Sequence, residues 1–156
     1  MRAPQNSKYR KRRGSGGYLR GSMIQSCKWP TGSAQLALVA LGSGRVTERQ
    51  MEAGRVVIAR GTRRMAEVTM PCYPNFPITK KPRHVRMGKG KGDVHSHVFI
   101  ACPGDILFRV EGNRATTKPR HLAQWKRVLD LAGMKMPFEA AVVEAPHFPA
   151  DQMEDE

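Results

Sequence analysis

Nine Lys and Arg residues and no Asp or Glu occupy the first 47 positions of the chain. Because like charges repel and this segment offers no opposite charge, it cannot form a compact unit by itself. The other end is acidic, since six carboxylates and no cation follow Lys135. Residues 1–138 carry 27 cations and 7 acids, a charge of +20, whereas residues 139–156 carry −6. We therefore expect the basic end to lie against a polyanion and the acidic end to point away from it.

The overall composition indicates the class of partner. The 156 residues have a formal net charge of +14 and a pI near 10.5, which favours nucleic acid over an anionic membrane as the partner. The longest apolar-leaning run, residues 36–41, is far shorter than the roughly 20 residues that span a bilayer. The sequence therefore predicts a soluble protein of one domain with extensions, with no membrane partner.

Three cysteines limit the covalent and metal chemistry. Cys27, Cys72 and Cys102 are an odd number at wide spacing, without a CxxC pair. This pattern argues against a disulfide framework and against a thiolate zinc site. We expect reduced cysteines that are mostly buried and act as small hydrophobic residues.

Residues 1–30 are predicted to form an extended basic arm. Glycines and a proline interrupt any helical period, and the cations repel one another. An Arg-rich and Ser-containing composition without acids is also typical of an organellar transit peptide, but residues 8–20 lack the apolar stripe that such a helix needs. We favour an RNA-binding arm that becomes ordered against RNA, with a cleavable presequence as the alternative.

The first half of residues 31–143, the predicted domain, contains a strand and a clearly marked helix. Residues 33–41 suit a strand that ends in a turn at 42–44. Thr47 begins a helix, because Gln50 follows it at the spacing of a capping box. The predicted buried stripe is Met51, Gly54, Ile58 and Met65. The exposed sides carry five arginines that would meet phosphate: Arg49, Arg55, Arg60, Arg63 and Arg64.

The second half predicts more strands and a second helix. Residues 67–72 suit a short strand, and the following prolines form a rigid turn. Residues 97–102 and 106–110 suit a strand pair joined by a turn at 103–105. Thr117 would cap a helix with Pro119 in its first turn. The predicted buried face of this helix is Leu122, Trp125, Leu129 and Ala132, and the helix is predicted to end at Gly133. Residues 138–143 suit a last strand.

The order of these elements predicts the fold class. Strands and helices are mixed without the regular alternation of a doubly wound sheet. We expect a compact, two-layer α+β sandwich over residues 31–143. Residues 144–156, rich in proline and acid, are expected to form a disordered tail.

The segment 79–92, TKKPRHVRMGKGKG, is the strongest candidate for ligand contact. It holds six cations and no acid, namely Lys80, Lys81, Arg83, Arg86, Lys89 and Lys91. Glycine lets the backbone approach a ligand closely, and each lysine adds a mobile charge with three donors, so the segment suits phosphate oxygens. A solvated, flexible hairpin tip is the alternative interpretation.

Other kinds of site fit the sequence poorly. The stretch GKGKGD lacks the order of a nucleotide-binding loop and precedes a strand rather than a helix. His95 and His97 share one strand face with Asp93, but a third local metal ligand is missing. No nucleophile lies on a sharp strand-to-helix turn. We expect no enzyme, no metal, no cofactor and no small-molecule substrate; His84 and His95 are the first residues to test for catalysis.

Several blocks resemble a known family. KYRKRRGSGGYLRG, GRVTERQMEAGRVVIARGTRR, PITKKPRHVRMGKGKGDV and PGDILFRVEG are similar to the bacterial and organellar ribosomal protein sixteen, of the universal L16/L10e family. The similarity runs in order from Lys8 to Gly112. TKKP and RMGKGKG are its most specific motifs. It implies a structural constituent of the large ribosomal subunit, with a hammerhead-like α+β fold and no catalytic activity of its own.

The resemblance also implies partners and contact residues. Family members act in translation as rRNA- and tRNA-binding components of a ribonucleoprotein, beside neighbouring ribosomal proteins near the base of the central protuberance. The loop corresponding to residues 86–92 reaches toward the peptidyl transferase center and the A-site tRNA: Arg86, Met87, Gly88, Lys89, Gly90, Lys91 and Gly92. The implied rRNA contacts are Lys8, Tyr9, Arg10, Lys11, Arg12, Arg13, Arg20, the five helix arginines, Lys80 and Lys81.

The chain departs from the usual bacterial pattern in two strands. AEVTMPCYPNFP stands where bacterial members commonly have a sequence like KIWIRVFPDKP, and HVFIA stands where they have YWVA. Such drift favours a mitochondrial ribosome, with a plastid or the bacterial cytoplasm as alternatives. A nucleic-acid-binding regulator outside the ribosome is the other functional hypothesis, because the charge pattern suits it equally.

Overall fold

The computed structural model describes Lys11, residues 36–112 and residues 119–144. Seven strands and two helices lie in these ranges. They are β1 (Leu36–Ala40), β2 (Gly44–Thr47), α1 (Glu48–Gly61), β3 (Ala66–Thr69), β4 (Phe76–Lys80), β5 (Asp93–Ala101), β6 (Ile106–Gly112), α2 (Pro119–Gly133) and β7 (Ala140–Glu144). Apart from Lys11, the predicted arm lies outside the described residues. So does the predicted tail after Glu144, which is the last residue of β7.

The described strands form two antiparallel sheets. One has the order β3-β6-β1-β7 and the other β2-β5-β4. Both helices lie on the four-stranded sheet: a Cβ built on Gly54 of α1 would be 2.8 Å from the Phe108 ring, and one on Gly133 of α2 would be 3.6 Å from Leu38 Cδ1. One buried cluster includes residues of both sheets and both helices. The α+β class is confirmed, and the hammerhead-like shape stays a prediction.

Helix α1 begins where the capping box predicts. The Thr47 hydroxyl accepts a hydrogen bond from the Gln50 amide at 3.3 Å, and the Gln50 side-chain oxygen accepts one from the Thr47 amide at 2.9 Å. Met51, Gly54 and Ile58 are buried as predicted. Burial of side chains the size of Met51 and Ile58 contributes roughly 1.5–3 kcal/mol each, so this stripe holds the helix on the sheet.

The predicted stripe is wrong at Met65, which is 53 % exposed. Helix α1 ends at Gly61, and Thr62 donates from its amide and its hydroxyl to the Ile58 carbonyl, both at 2.9 Å. The chain then turns back through two residues of positive φ toward β3. Met65 therefore follows the turn instead of lying on the helix, and buried Thr62 closes the end of the core.

Helix α2 packs on the core and against α1. Its buried residues are Trp125, Val128, Leu129 and Ala132, and Leu122 packs against the same cluster, as the helical spacing predicts. The Gln124 side-chain amide donates to the Gly61 carbonyl at 3.2 Å. A Cβ on Gly61 would lie 2.4 Å from Val128 Cγ2, so the Val128 side chain packs directly on the Gly61 backbone. Thr117, the predicted cap, lies outside the described residues.

The predicted pairing of residues 97–102 with 106–110 is wrong. Strand β5 pairs with β2 and β4, whereas β6 pairs with β1 and β3. The predicted turn at 103–105 exists, but it carries the chain from one sheet to the other. Gly104 donates to the Ala40 carbonyl at 2.7 Å, and Ala40 donates to the Asp105 carbonyl at 2.9 Å. The turn is thus attached to the end of β1, which separates the two strands.

The structure adds two strands that the sequence did not predict. Strand β2 covers only four residues between the turn and helix α1. Strand β4 contains Pro77, which cannot donate a ladder hydrogen bond. Because β4 is one of the two edge strands of its sheet, the missing donor is tolerated there.

Two cysteines fit the predicted role of reduced, apolar residues. Cys72 is buried and its thiol donates to the Ile106 carbonyl at 2.9 Å. Burial raises the pKa of the Cys72 thiol to about 12. Burial also raises the pKa of Cys102, which is only partly exposed and is not in a disulfide. Cys27 lies outside the described residues.

Candidate nucleic-acid interface

The basic segment predicted for ligand contact forms the tip of the β4–β5 hairpin. Residues 82–91 are all exposed. Gly88, Lys89 and Gly90 have φ values of +94°, +52° and +99°, so the chain at the tip is left-handed over three residues. Glycine adopts such values at little steric cost, which explains the Gly-Lys alternation better than packing does, because a Cβ at either glycine would meet open space.

Two contacts close the hairpin loop, one to its tip and one at its base. The Lys81 ammonium donates to the Gly88 carbonyl across the loop. A Cβ on Gly92 would lie 2.6 Å from the Lys80 carbonyl oxygen, so the two strand ends approach through backbone. Lys81, which was predicted to contact RNA, therefore binds within the loop itself. Its RNA contact stays a prediction.

Lys11 connects the predicted arm to this loop. Its ammonium lies 3.2 Å from Asp93 Oδ1 and donates to the Lys91 carbonyl at 3.1 Å. Exposed ion pairs contribute only about 0–1 kcal/mol, so the contact fixes position more than stability. It brings one cation of the arm beside the cations of the hairpin and offsets the carboxylate at the hairpin base.

A second group of cations lies at the C-terminal end of helix α1 and in the turn that follows it. Arg60, Arg63 and Arg64 are exposed, and we call them the arginine turn. Arg63 and Arg64 have φ values of +52° and +60°, and left-handed backbone at non-glycine residues costs roughly 1–2 kcal/mol each. Glycine or asparagine would fit the backbone better. Because strained backbone clusters at functional sites, Arg63 and Arg64 are candidates for ligand contact.

Two other arginines of α1 differ from the arginine turn. Arg49 is exposed near the beginning of the helix. Arg55 is half-buried and binds Glu52 through two guanidinium nitrogens, at 2.6 Å and 3.0 Å. The hydrogen bond to Arg55 lowers the pKa of Glu52, and the same bond raises the pKa of Arg55. Arg55 thus stabilises its own helix, while Arg49 faces solvent.

Comparison with known proteins identifies the family. A model of the family described as "Ribosomal protein L16p/L10e" matches residues 4–143. The chain belongs to this family. A protein of Leptospira biflexa, called large ribosomal subunit protein uL16, is 36 % identical over 143 residues, which cover 92 % of the chain and 96 % of that protein. A protein of the same name from Psychrobacter cryohalolentis is 38 % identical over 146 residues, with the same coverage.

Membership in the L16p/L10e family confirms the resemblance and extends it. The quoted blocks end at Gly112, whereas the family match continues through α2 and nearly to the end of β7. The family consists of ribosomal proteins and not of enzymes, which agrees with the prediction of no catalysis. The RNA contacts of individual residues remain predictions.

The structure adds cations of α2 to the surface of this L16p/L10e family member. Because Gln124 binds the Gly61 carbonyl, the first turns of α2 lie beside the arginine turn. Arg120 is exposed one helical turn before Gln124, and Arg127 is exposed one turn after it. The helical spacing of Arg120, Gln124 and Arg127 could be read from the sequence. Their position beside α1 could not, because it depends on how the two helices pack together.

The described ranges contain two helices and several His, Cys, Asp and Glu side chains. Neither helix there is long and apolar enough to cross a membrane. Among the same residues, no three His, Cys, Asp or Glu side chains converge as a metal would require. His95 and His97 thus lie near Asp93 on β5 without forming such a group.

Proposed function

We propose that the chain is a structural component of the large ribosomal subunit that binds large-subunit rRNA and neighbouring ribosomal proteins. Exposed cations on two separate elements, the β4–β5 hairpin and the arginine turn, carry this proposal, because a family member with such surfaces fits folded RNA. The names of the relatives, which are large-subunit proteins, support the choice of subunit.

Phosphate neutralisation supplies the physical basis of the proposed binding. Each phosphate that a Lys or Arg neutralises releases condensed counterions and contributes about −0.7 to −0.9 to the log-log dependence of affinity on salt. The arm, the arginine turn and the hairpin together hold far more cations than acids. Binding should therefore be tight at low salt and strongly weakened at high salt.

We further propose that the hairpin tip serves tRNA positioning near the A site and the peptidyl transferase center. Residues 86–91 are all exposed, and Met87 is 91 % exposed. The tip carries no fixed core contact at Gly88 or Gly90, where even a Cβ would meet open space. A protruding, cationic and glycine-rich tip suits contact with a mobile RNA partner better than it suits packing.

A mitochondrial ribosome is our proposed location, on the strength of the sequence drift in β3 and β5. The relatives described above are bacterial, so the bacterial cytoplasm is the alternative location, as is a plastid. Fractionation of the source cells with an antibody to the chain separates these locations.

Co-sedimentation tests the proposed function. We expect the chain to sediment with large ribosomal subunits through a density gradient and to be released by increasing monovalent salt. Magnesium is kept constant so that the subunits stay folded. A chain that stays at the top of the gradient at low salt, although it binds RNA, would instead be a regulator outside the ribosome.

The hairpin tip leads to a separate prediction. Replacing Lys89 and Lys91 together by Ala should slow peptide synthesis by reconstituted ribosomes while changing the free energy of unfolding by less than about 0.5 kcal/mol per site. Both residues are exposed, so their side chains contribute little to packing. Ala at position 89 would have the same left-handed backbone conformation as Lys, so the backbone strain there would not change. The matched control is Lys126→Ala with Lys135→Ala on the α2 side. A lower melting temperature with normal synthesis would make the tip structural.

A further inference from the structure

Strand β5 contains an irregularity next to the hairpin base. Ser96 pairs with Ile78 and Val94 pairs with Thr79, so His95 is an extra residue between two consecutive partners. Such a bulge leaves its residue unpaired and redirects its side chain, and bulges are frequent beside functional sites. His95 is exposed at this point. The irregularity therefore presents an imidazole ring at the surface.

An open cleft of about 330 Å³ lies beside the bulged residue. Its lining residues are Lys80, Lys81, Pro82, Arg83, Asp93, Val94 and His95. Pro82 and Val94 are its apolar lining residues, and three of the lining residues are cations. The one carboxylate, that of Asp93, is paired with Lys11 at 3.2 Å, so the cleft has a net positive charge.

We propose that this cleft binds one unpaired nucleotide, with the base stacked on the His95 ring over Val94 and Pro82 and the phosphate held by Lys80 and Arg83. The inference rests on the proposed RNA binding and adds a mode of recognition to it. The ligand chemistry is a nucleoside phosphate, whether within an RNA strand or free. The arginine turn can bind the phosphates of paired or unpaired RNA, whereas the proposed binding in the cleft requires an unpaired base.

The shape and chemistry of the cleft favour a nucleotide over a bare phosphate. Proteins recognise unpaired RNA bases by stacking them on aromatic side chains, histidine included, or on Arg. A site for phosphate alone would need hydrogen-bond donors but no apolar lining residues. The Lys81 ammonium donates to the Gly88 carbonyl, whereas no such loop contact occupies Lys80 or Arg83 among the described residues, so these two are assigned to the phosphate.

Binding of a fluorescent single-stranded hexauridylate by the full chain tests the inference. His95→Ala should weaken this binding about tenfold, within the range expected for loss of one stacked base. It should leave binding of a twelve-base-pair RNA duplex unchanged, because a duplex offers no unpaired base inside its length. His95→Phe keeps a stacking ring and should stay within about twofold of the unsubstituted chain. Equal weakening on both RNAs, no effect of His95→Ala, or a loss with His95→Phe would overturn the proposal.

His84→Ala is the matched control, because His84 is an exposed histidine of the same hairpin that does not line the cleft. It should change neither affinity. Competition by uridine monophosphate separates the two sources of the ligand: a monophosphate that binds as tightly as the hexamer would identify a free nucleotide, and weak competition would identify an RNA strand.

The result also separates this inference from the proposed function. If the unsubstituted chain binds neither RNA and stays out of large subunits, the proposed function fails. If it binds both RNAs and enters large subunits but His95→Ala has no effect, only the cleft proposal fails.

Discussion

Replacing Arg60 by Gln and Arg63 and Arg64 by Asn is expected to weaken binding to large-subunit rRNA on the order of a hundredfold at moderate salt. The log-log salt slope should also become shallower by about 2 to 3, since each lost phosphate contact removes about 0.7 to 0.9. Asn is chosen at positions 63 and 64 because it tolerates the left-handed backbone there better than Arg does. The measurement is a salt titration of binding to an rRNA fragment, with the full chain.

A charge-matched control decides whether position or total charge matters. Lys126→Gln and Lys135→Gln remove two charges from α2 and the turn after it, and Arg45→Gln removes a third from β2, so this variant also loses three charges. This variant should keep most of the affinity and nearly the full salt slope. If it loses as much as the arginine-turn variant, binding follows net charge and the arginine turn has no special role. Chemical denaturation of both variants verifies that neither loss comes from unfolding.

Local features of the fold were predictable because they depend on residues close in sequence. The capping box at Thr47, the buried spacing in both helices and the turn at 103–105 all follow from neighbours within a few positions. Strand pairing depends on distant residues. The 103–105 turn predicts a hairpin by itself, but its contacts with Ala40 direct β5 and β6 into different sheets. That outcome required knowledge of where β1 lies.

The sequence predicted which segments of the candidate interface are rich in cations, but it did not predict what most of these side chains contact. The clustered cations of the hairpin and of α1 are visible in the sequence, and most are exposed. Their individual roles are not visible: Lys81 closes the loop, and Arg55 binds Glu52. Arg63 and Arg64 belong to a turn beyond the helix. The position of His95 in a bulge depends on the register with β4, which no local pattern encodes.

Helix α2 links the core to the proposed interface. Trp125 is 2 % exposed and lies one turn before Val128 and Leu129, which are also buried. Val128 in turn lies against Gly61, the last residue of α1. The packing of α2 therefore positions the end of α1, from which the arginine turn extends. Loss of that packing should affect the whole domain and not only one helix.

Trp125→Ala is expected to lower the free energy of unfolding by about 3–5 kcal/mol, because it removes a large buried side chain and leaves a cavity. That is a large part of the roughly 5–15 kcal/mol typical of a folded domain. Trp125→Phe should cost clearly less, since it keeps an aromatic ring and removes an indole N–H that has no acceptor among the described residues. Urea denaturation of the full chain measures both. If Trp125→Ala costs less than about 1 kcal/mol, the site is not a packed core position, and the support that α2 gives to the arginine turn must come from the Gln124 contact instead.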